Sequence, residues 1–213
     1  MSKDILTALR HPAAGLGAAG FVDVEQAVLE CPISDEISWR CAIVREPDED
    51  PWFGEIMVGI WVPDLRPTLR FGWPKRCDPG IYTRNLFDLA DSRGRSVGSG
   101  YYGSRFRRGG FFRVRGDEEV EALVAADLGK MIGRVAIPWF DRLRTVSAAA
   151  ENMDTWLTSL PSGKAPIDWA HLGALWRYAG DTGRAARAWR TSASMGREYA
   201  RYADHLRSCL ENM

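Results

Sequence analysis

The spacing of apolar residues changes near residue 115 of this chain, and the change limits the folds that the chain can adopt. Between residues 21 and 114 several segments have strand-like apolar patterns, and in residues 37–44 the apolar residues recur at every second position. From residue 117 onward they recur every three or four residues, which is typical of amphipathic helices. One short helix, then a run of strands and then helices only predict an α+β fold with a mostly antiparallel sheet.

Turn residues and capping signals divide this pattern into elements. A short N-terminal helix is predicted to end at Gly17 and Gly20. The predicted strands are Phe21–Pro32, Ile37–Val44, Glu55–Val62 and Gly110–Val114, and the third is apolar on both faces, as a central strand would be. The predicted helices begin at Asp117, Pro138, Ser147, Asp168 and Thr182, and the last continues to about Leu210. Residues 81–90 are compatible with either a strand or a short helix.

Bulk composition indicates a protein with a packed core. Of the 213 residues, 46% are hydrophobic, and we expect an α+β domain over residues 1–160 followed by a helical hairpin over residues 161–213. The four cysteines, at positions 31, 41, 77 and 209, include no Cys-x-x-Cys pair, so we expect reduced and mostly buried thiols. No segment reaches about eighteen consecutive apolar residues, which predicts a cytoplasmic protein without a membrane span.

The net charge is zero, but the charges are unevenly distributed along the chain. Residues 1–64 carry four basic and twelve acidic side chains, whereas residues 65–115 carry twelve basic and three acidic ones. This segregation fits a basic surface that faces an acidic partner. It also fits acidic and basic strands that pair within one sheet, and we favour this second interpretation because nothing in the sequence puts the basic residues on one face.

The segment SVGSGYYGSRFRRGGFFRVRG, residues 96–116, contains the pattern G-x-G-x-x-G at Gly98, Gly100 and Gly103. A dinucleotide-binding loop needs a strand before these glycines and a helix after them, and neither is predicted here. We therefore expect no nucleotide cofactor, and we favour a glycine-rich hairpin or loop whose aromatic residues alternate into the core. The alternative is a nucleic-acid surface over residues 93–115, in which arginines neutralise phosphates and aromatic rings stack on bases.

Recognisable catalytic and metal-binding motifs are absent from the sequence. The three histidines, His11, His171 and His205, form no H-E-x-x-H motif, and we identify no Cys/His pair at a useful ligand spacing. There is also no G-x-S-x-G nucleophile elbow. We therefore expect no metal, no cofactor and a function other than catalysis.

The segment WAHLGALWRYAGDTGRAARAW resembles one tetratricopeptide repeat. Trp169, Leu172 and Gly173 match the first-helix pattern W-x-x-L-G, and Ala185 and Trp189 match the small and large positions of the second helix. The departures are Trp176 in place of tyrosine, Ser192 in place of alanine, and Arg197 in place of the closing proline. The resemblance implies a helical hairpin whose two helices approach closely at Gly173 and Ala185. A single copy does not build the peptide-binding groove of a repeat array.

Features of the first two-thirds of the chain form a second pattern. They are an opening helix before Gly20 and Phe21, the strand VGIWVPDL at Val58–Leu65, the spaced residues Cys77, Arg84, Leu86 and Leu89, and the segments EEVEALVAADLGKMI and IPWFDRL. This pattern resembles an uncharacterised bacterial family, domain of unknown function four-three-zero-four, although residues 93–115 replace a tryptophan pair with arginine and glycine. Such domains are considered beside immunity proteins of bacterial toxin systems. The resemblance therefore implies a protein that binds and neutralises a partner protein.

Together these observations predict a binding protein whose partner is another protein. Charged residues beside exposed aromatic residues are typical of interface anchors. The candidate contact residues are Asp48, Glu49, Asp50 and Trp52, with Phe53, in an acidic loop, and Tyr101, Tyr102, Arg105, Arg107 and Arg108 in a basic loop. The alternative is a nucleic-acid-associated protein that uses residues 93–115. A third hypothesis, an enzyme, requires Asp, Arg and Tyr side chains that converge in a pocket.

Overall fold

The computed structural model describes residues 16, 19–25, 28–45, 52–65, 80–91, 112–114 and 129–211. The strands are β1 (Val22–Glu25), β2 (Val28–Pro32), β3 (Ser38–Arg45), β4 (Trp52–Trp61), β5 (Tyr82–Asn85) and β6 (Phe112–Val114). The α-helices are α1 (Leu86–Asp91), α2 (Ile137–Phe140), α3 (Val146–Ser159), α4 (Pro166–Tyr178), α5 (Thr182–Ser194) and α6 (Arg197–Glu211), and a 3₁₀ turn covers Pro63–Leu65. The predicted α+β fold is confirmed, and residues 81–90 form a strand followed by a helix.

Strand β4 organises the sheet because it pairs with three other strands. The strand order is β1-β2-β3-β4-β5, and β6 also pairs with β4. Every pairing is antiparallel. Strand β3 pairs along nearly all of β4, while β5 and β6 pair with its separate stretches Met57–Ile60 and Trp52–Gly54. The strand that is apolar on both faces is thus central, as its sequence predicts.

Residues 21–32 were predicted to form one strand, and this prediction was wrong. They form a hairpin in which β1 pairs antiparallel with β2. Val22 and Val24 of the outer strand are exposed, whereas Val28 and Leu29 of the inner strand are buried. The apolar residues of an edge strand and of an inner strand follow each other closely in the sequence, so their patterns look like a single run.

Pro138 was predicted to begin a helix, but it lies inside one. Residues 129–140 are helical throughout, and a π-helical segment, Ile132–Ala136, comes just before the proline. The backbone N–H of Ile137 donates to the carbonyl of Ile132, five residues earlier. The π-helical turn thus lies next to Pro138, which has no backbone N–H to donate. A proline in this sequence therefore does not by itself mark the start of a helix.

Two further helix boundaries differ from the predicted ones. Helix α3 is capped by Thr145, not by Ser147, and the Thr145 hydroxyl accepts a hydrogen bond from the N–H of Ala148 at 3.2 Å. The helix predicted from residue 182 to about residue 210 is broken at Met195 and Gly196 into α5 and α6. Glycine is a poor helix former, and the break lets both apolar faces pack on the rest of the molecule.

One hydrophobic core joins the sheet to the helices. Trp39 of β3 stacks on Phe140 of α2 with ring centroids 5.2 Å apart, and Phe21 lies 5.7 Å from Phe140. The core also contains Leu157 and Leu172, which lie on either side of residue 160. The predicted division into two domains at that residue stays a prediction.

Helices α4 and α5 pack most closely at Gly173. A Cβ atom at this position would overlap the indole ring of Trp189, whose Nε1 donates to the carbonyl of Ala170 at 3.1 Å. Ser192 is fully buried, and its hydroxyl donates to the carbonyl of Pro166 at 2.7 Å. That bond gives the serine a partner at the position where the repeat pattern has alanine. The close approach at Gly173 is as expected, whereas membership of the repeat family stays a prediction.

Cys31, Cys41 and Cys209 form no disulfide. Burial raises the pKa of the Cys41 thiol to about 12, so that thiol stays protonated. Cys77 lies outside the described residues. Within the ranges described above, none of the helices combines the length and the apolar character that a membrane crossing requires.

Candidate partner-binding site

Five side chains meet where β5 lies against helices α3 and α4. We call them the seam cluster: Tyr82 and Arg84 of β5, Asn152 and Trp156 of α3, and Asp168 of α4. Tyr82 and Arg84 share a face of β5 because alternate residues of a strand do so. Asn152 and Trp156 share a face of α3 because they are four residues apart on a helix. Tyr82 is buried, and the other four are half-buried.

The centre of the seam cluster is an arginine stacked on a tryptophan. The guanidinium carbon of Arg84 lies 4.4 Å from the ring centroid of Trp156, within the range where a ring face attracts a cation. Tyr82 packs against Trp156 with centroids 5.9 Å apart, and its hydroxyl donates to Oδ1 of Asn152 at 3.0 Å. Burial raises the pKa of Tyr82 although the charge of Arg84 lowers it, so the phenol keeps the proton that it donates.

Asp168 lies in the first turn of α4, close enough for its charge to interact with Arg84 and Tyr82. Burial raises the pKa of its carboxyl to about 6, against the opposing effects of its own backbone N–H and of the Arg84 charge. Among the residues that the structure describes, Asp168 forms no salt bridge. At neutral pH the cluster therefore holds a carboxylate that its surroundings stabilise poorly.

Gly80 fixes the position of β5 and so of two cluster residues. Its φ is +124°, and a Cβ atom there would overlap the carbonyl oxygen of Ile60. That oxygen accepts a hydrogen bond from the N–H of Ile81 at 2.9 Å. Only glycine fits both the backbone angle and the space, so Tyr82 and Arg84 start from a point held tightly against β4.

In the described part of the chain, an arginine lies over a tryptophan ring in four pairs, one of which is the pair in the seam cluster. The four pairs are Arg40 over Trp61 at 3.6 Å, Arg84 over Trp156 at 4.4 Å, Arg144 over Trp39 at 5.2 Å and Arg184 over Trp176 at 4.4 Å. In the last pair the arginine also forms salt bridges with Asp181 at 3.3 Å and Glu151 at 3.9 Å. Among the described residues, the buried Nε1 of Trp176 has no hydrogen-bond partner.

His171 also lies on α4, but its environment is that of a structural residue. Its Nε2 lies 2.8 Å from the hydroxyl oxygen of Tyr202, and the ring also forms a hydrogen bond with the backbone of Ile81. Burial lowers the pKa of His171 to about 4, so the imidazole is neutral at physiological pH. This ring joins α4 to α6 and to the start of β5, and both of its polar sides are engaged.

None of the residues predicted to contact a partner is one of the five described side chains that define the seam cluster. Eight of them, Asp48, Glu49, Asp50, Tyr101, Tyr102, Arg105, Arg107 and Arg108, lie outside the described residues. Trp52 is the first residue of β4, where it pairs with Val114. The prediction that the acidic loop includes Trp52 and Phe53 was therefore wrong, because both belong to the strand.

Sequence reasoning missed the seam cluster because its members are far apart in the chain. The signals that point to it are weak: Tyr82 and Arg84 two residues apart on β5, and Asn152 and Trp156 four residues apart on α3. Neither pattern shows that these elements face Asp168. Comparisons of the chain with protein-family models, with curated proteins and with solved structures give no match.

Proposed function

We propose that this chain is a binding protein that holds a partner protein at the seam cluster. The observation that carries the proposal is the stack of Arg84 on half-buried Trp156 beside the carboxyl of Asp168, which has no salt bridge within the described residues. Tryptophan, tyrosine and arginine dominate the energetics of protein interfaces. Regular elements hold these side chains, so docking costs little conformational entropy.

The charges of the cluster indicate the chemistry of the partner. A lysine or arginine of the partner, placed against Asp168, would supply the ion-pair partner that this carboxyl lacks. A partner carboxylate would accept hydrogen bonds from the N–H groups of Arg84. We therefore expect a partner segment that carries side chains of both signs. An immunity-like role in a bacterial cell, in which binding blocks a toxin, is the more specific form of this proposal and rests on the family resemblance alone.

Affinity capture with matched arginine variants tests the proposal. The tagged protein is recovered from a nuclease-treated lysate of its own cells, and the partner is then titrated against Arg84→Gln and Arg187→Gln. Arg187 is exposed on α5 and forms no salt bridge within the described ranges, so it serves as the control. We expect Arg84→Gln to weaken binding by about thirtyfold, near 2 kcal/mol, and Arg187→Gln to leave it nearly unchanged.

Equal affinity of the wild type and Arg84→Gln would contradict docking at the seam cluster. Recovery of nucleic acid, with a binding constant whose logarithm falls linearly with the logarithm of salt concentration, would support the alternative function instead. That alternative rests on residues 93–115, of which the structure describes only Phe112–Val114.

Acid–base catalysis at the same cluster is a second candidate function. It is favoured by the Asp168 carboxyl, whose pKa of about 6 suits proton exchange near neutral pH, and by the nearby cation Arg84 and phenol Tyr82. The test is to incubate a cell metabolite extract with the wild type or with Asp168→Asn and to compare the two extracts by mass spectrometry. A compound that only the wild type consumes would support catalysis, and identical extracts would count against it.

A further inference from the structure

The two ends of the sheet differ in what covers them. At one end, β5 lies against helices α3 and α4, and His171 of α4 forms a hydrogen bond with the backbone of Ile81, just before this strand. At the other end, β1 is the last strand in the strand order, and among the described strands it pairs only with β2. No other described helix or strand packs extensively against β1. The outer edge of β1 therefore presents backbone N–H and C=O groups that have no strand partner among the described residues.

The side chains of β1 are unusual for an open edge. Val22 is 55% exposed and Val24 is 44% exposed, and with Ile167 they are the large hydrophobic side chains that are exposed in the described part of the chain. Natural sheets commonly protect an open edge with lysine, with proline or with a covering helix. Strand β1, with the sequence VDVE, contains neither lysine nor proline. An exposed apolar surface thus lies beside open backbone groups.

We propose that β1 binds an extended segment of a partner protein, one that carries both basic and apolar residues, as an additional strand of the sheet. In this mode of recognition the main-chain hydrogen bonds supply affinity and the side chains supply specificity. The apolar residues of the segment would cover the exposed Val22 and Val24. Its basic residues would complement the charge of β1, because Asp23 and Glu25 make two of the four residues acidic.

Charge disfavours a second copy of the chain as the occupant of this edge. If two β1 strands paired with each other, the two acidic residues of each copy would meet along one short ladder, and like charges on neighbouring strands repel. The register with β2 shifts between Asp23 and Glu25, as in a β-bulge, which bends a strand and interrupts its pairing. We therefore expect a short segment that binds reversibly and not an open-ended stack of strands.

Fluorescence anisotropy with labelled peptides tests the proposal on the full-length chain. The probe is a hexapeptide in which valine alternates with lysine. One control is a valine–glutamate hexapeptide, and the other is the probe N-methylated at every residue. We expect the probe to bind at least about tenfold more tightly than either control, because glutamate reverses the charge and N-methylation removes the donors of the ladder. Equal binding of the probe and the N-methylated peptide would overturn the proposal.

Two matched variants locate the binding on β1. Val24→Lys introduces the residue type that protects natural edges, and it should weaken binding of the probe by at least about tenfold. Ile167→Lys makes the same change at an exposed residue of α4 and should bind the probe as the wild type does. Circular dichroism confirms that both variants are folded. Equal affinity of Val24→Lys and the wild type would count against the proposal, as would a dimer in sedimentation velocity that Val24→Lys dissociates, since a second copy would then occupy the edge.

Discussion

Asp168 and His171 lie one turn apart on α4, yet the two side chains differ in whether the surrounding residues satisfy their polar groups. Burial shifts the pKa of each group toward its neutral form, to about 6 for Asp168 and to about 4 for His171. His171 has hydrogen-bond partners in both α6 and the start of β5, whereas Asp168 has no salt bridge within the described residues. A shifted pKa therefore marks a candidate site only where the partners of the group remain incomplete.

Replacement of His171 should have the largest effect on stability. His171→Ala removes a buried ring and leaves the Tyr202 hydroxyl without its partner at 2.8 Å. We expect the free energy of unfolding to fall by about 3 kcal/mol, as measured by urea denaturation at pH 7.5. His205→Ala, a change of the same residue type at a half-exposed position, should cost less than about 1 kcal/mol. A small effect at His171 would remove the contrast with Asp168.

The dependence of stability on pH should separate the two groups, because their contributions have opposite signs. The lowered pKa of His171 means that its stabilising effect is present above about pH 6.5 and is lost as the pH falls toward 4. The raised pKa of Asp168 means that its contribution is present below about pH 4 and is lost as the pH rises through 6. The two trends partly cancel in the wild type.

Asp168→Asn should reveal the pH dependence of stability that His171 contributes, because it removes the opposing contribution of Asp168. We expect this variant to lose more stability than the wild type between pH 6.5 and pH 4, by an additional amount of about 1–3 kcal/mol. Urea unfolding of both proteins at half-unit pH steps measures the difference, and groups common to both proteins drop out of it. Parallel curves for the two proteins would show that Asp168 is not shifted by burial.

Substitution of Gly173, on the side of α4 that packs against α5, should lower the free energy of unfolding by less than substitution of His171. Gly173→Ala places a methyl group against the Trp189 indole, and we expect a loss of about 1–3 kcal/mol in the free energy of unfolding. The matched control is Gly183→Ala on α5, where the nearest atom lies 3.5 Å away and the better helix former should stabilise by up to about 1 kcal/mol. Effects of the same sign at both positions would contradict close packing at Gly173.

The smallest change in stability is expected from Asp168→Asn at pH 7.5. Asparagine has a similar shape and removes a poorly stabilised charge, so the free energy of unfolding should stay within about 1 kcal/mol of the wild type and should not fall. Thermal and urea denaturation both measure this. A loss as large as that of His171→Ala would mean that Asp168 is a structural residue, and it would weaken the case for the seam cluster as a site.

Much of the fold follows from the sequence, whereas the site does not. The period of the apolar residues predicts the α+β class and the central place of β4, because burial of one or both faces leaves a local pattern. The hairpin at residues 21–32 was missed because an edge strand can expose valines such as Val22. The seam cluster depends on contacts such as that of Tyr82 with Asn152, seventy residues apart, which no local pattern contains.

The arginines that lie over tryptophan rings bear on how this protein should be unfolded in the laboratory. Guanidinium chloride supplies the same planar cation in molar amounts, so it competes with Arg84 for the ring face of the half-buried Trp156, whereas urea carries no charge. We expect tryptophan fluorescence to change at guanidinium concentrations below the unfolding transition, with no such change in urea. For this fold, guanidinium is a competing ligand as well as a denaturant.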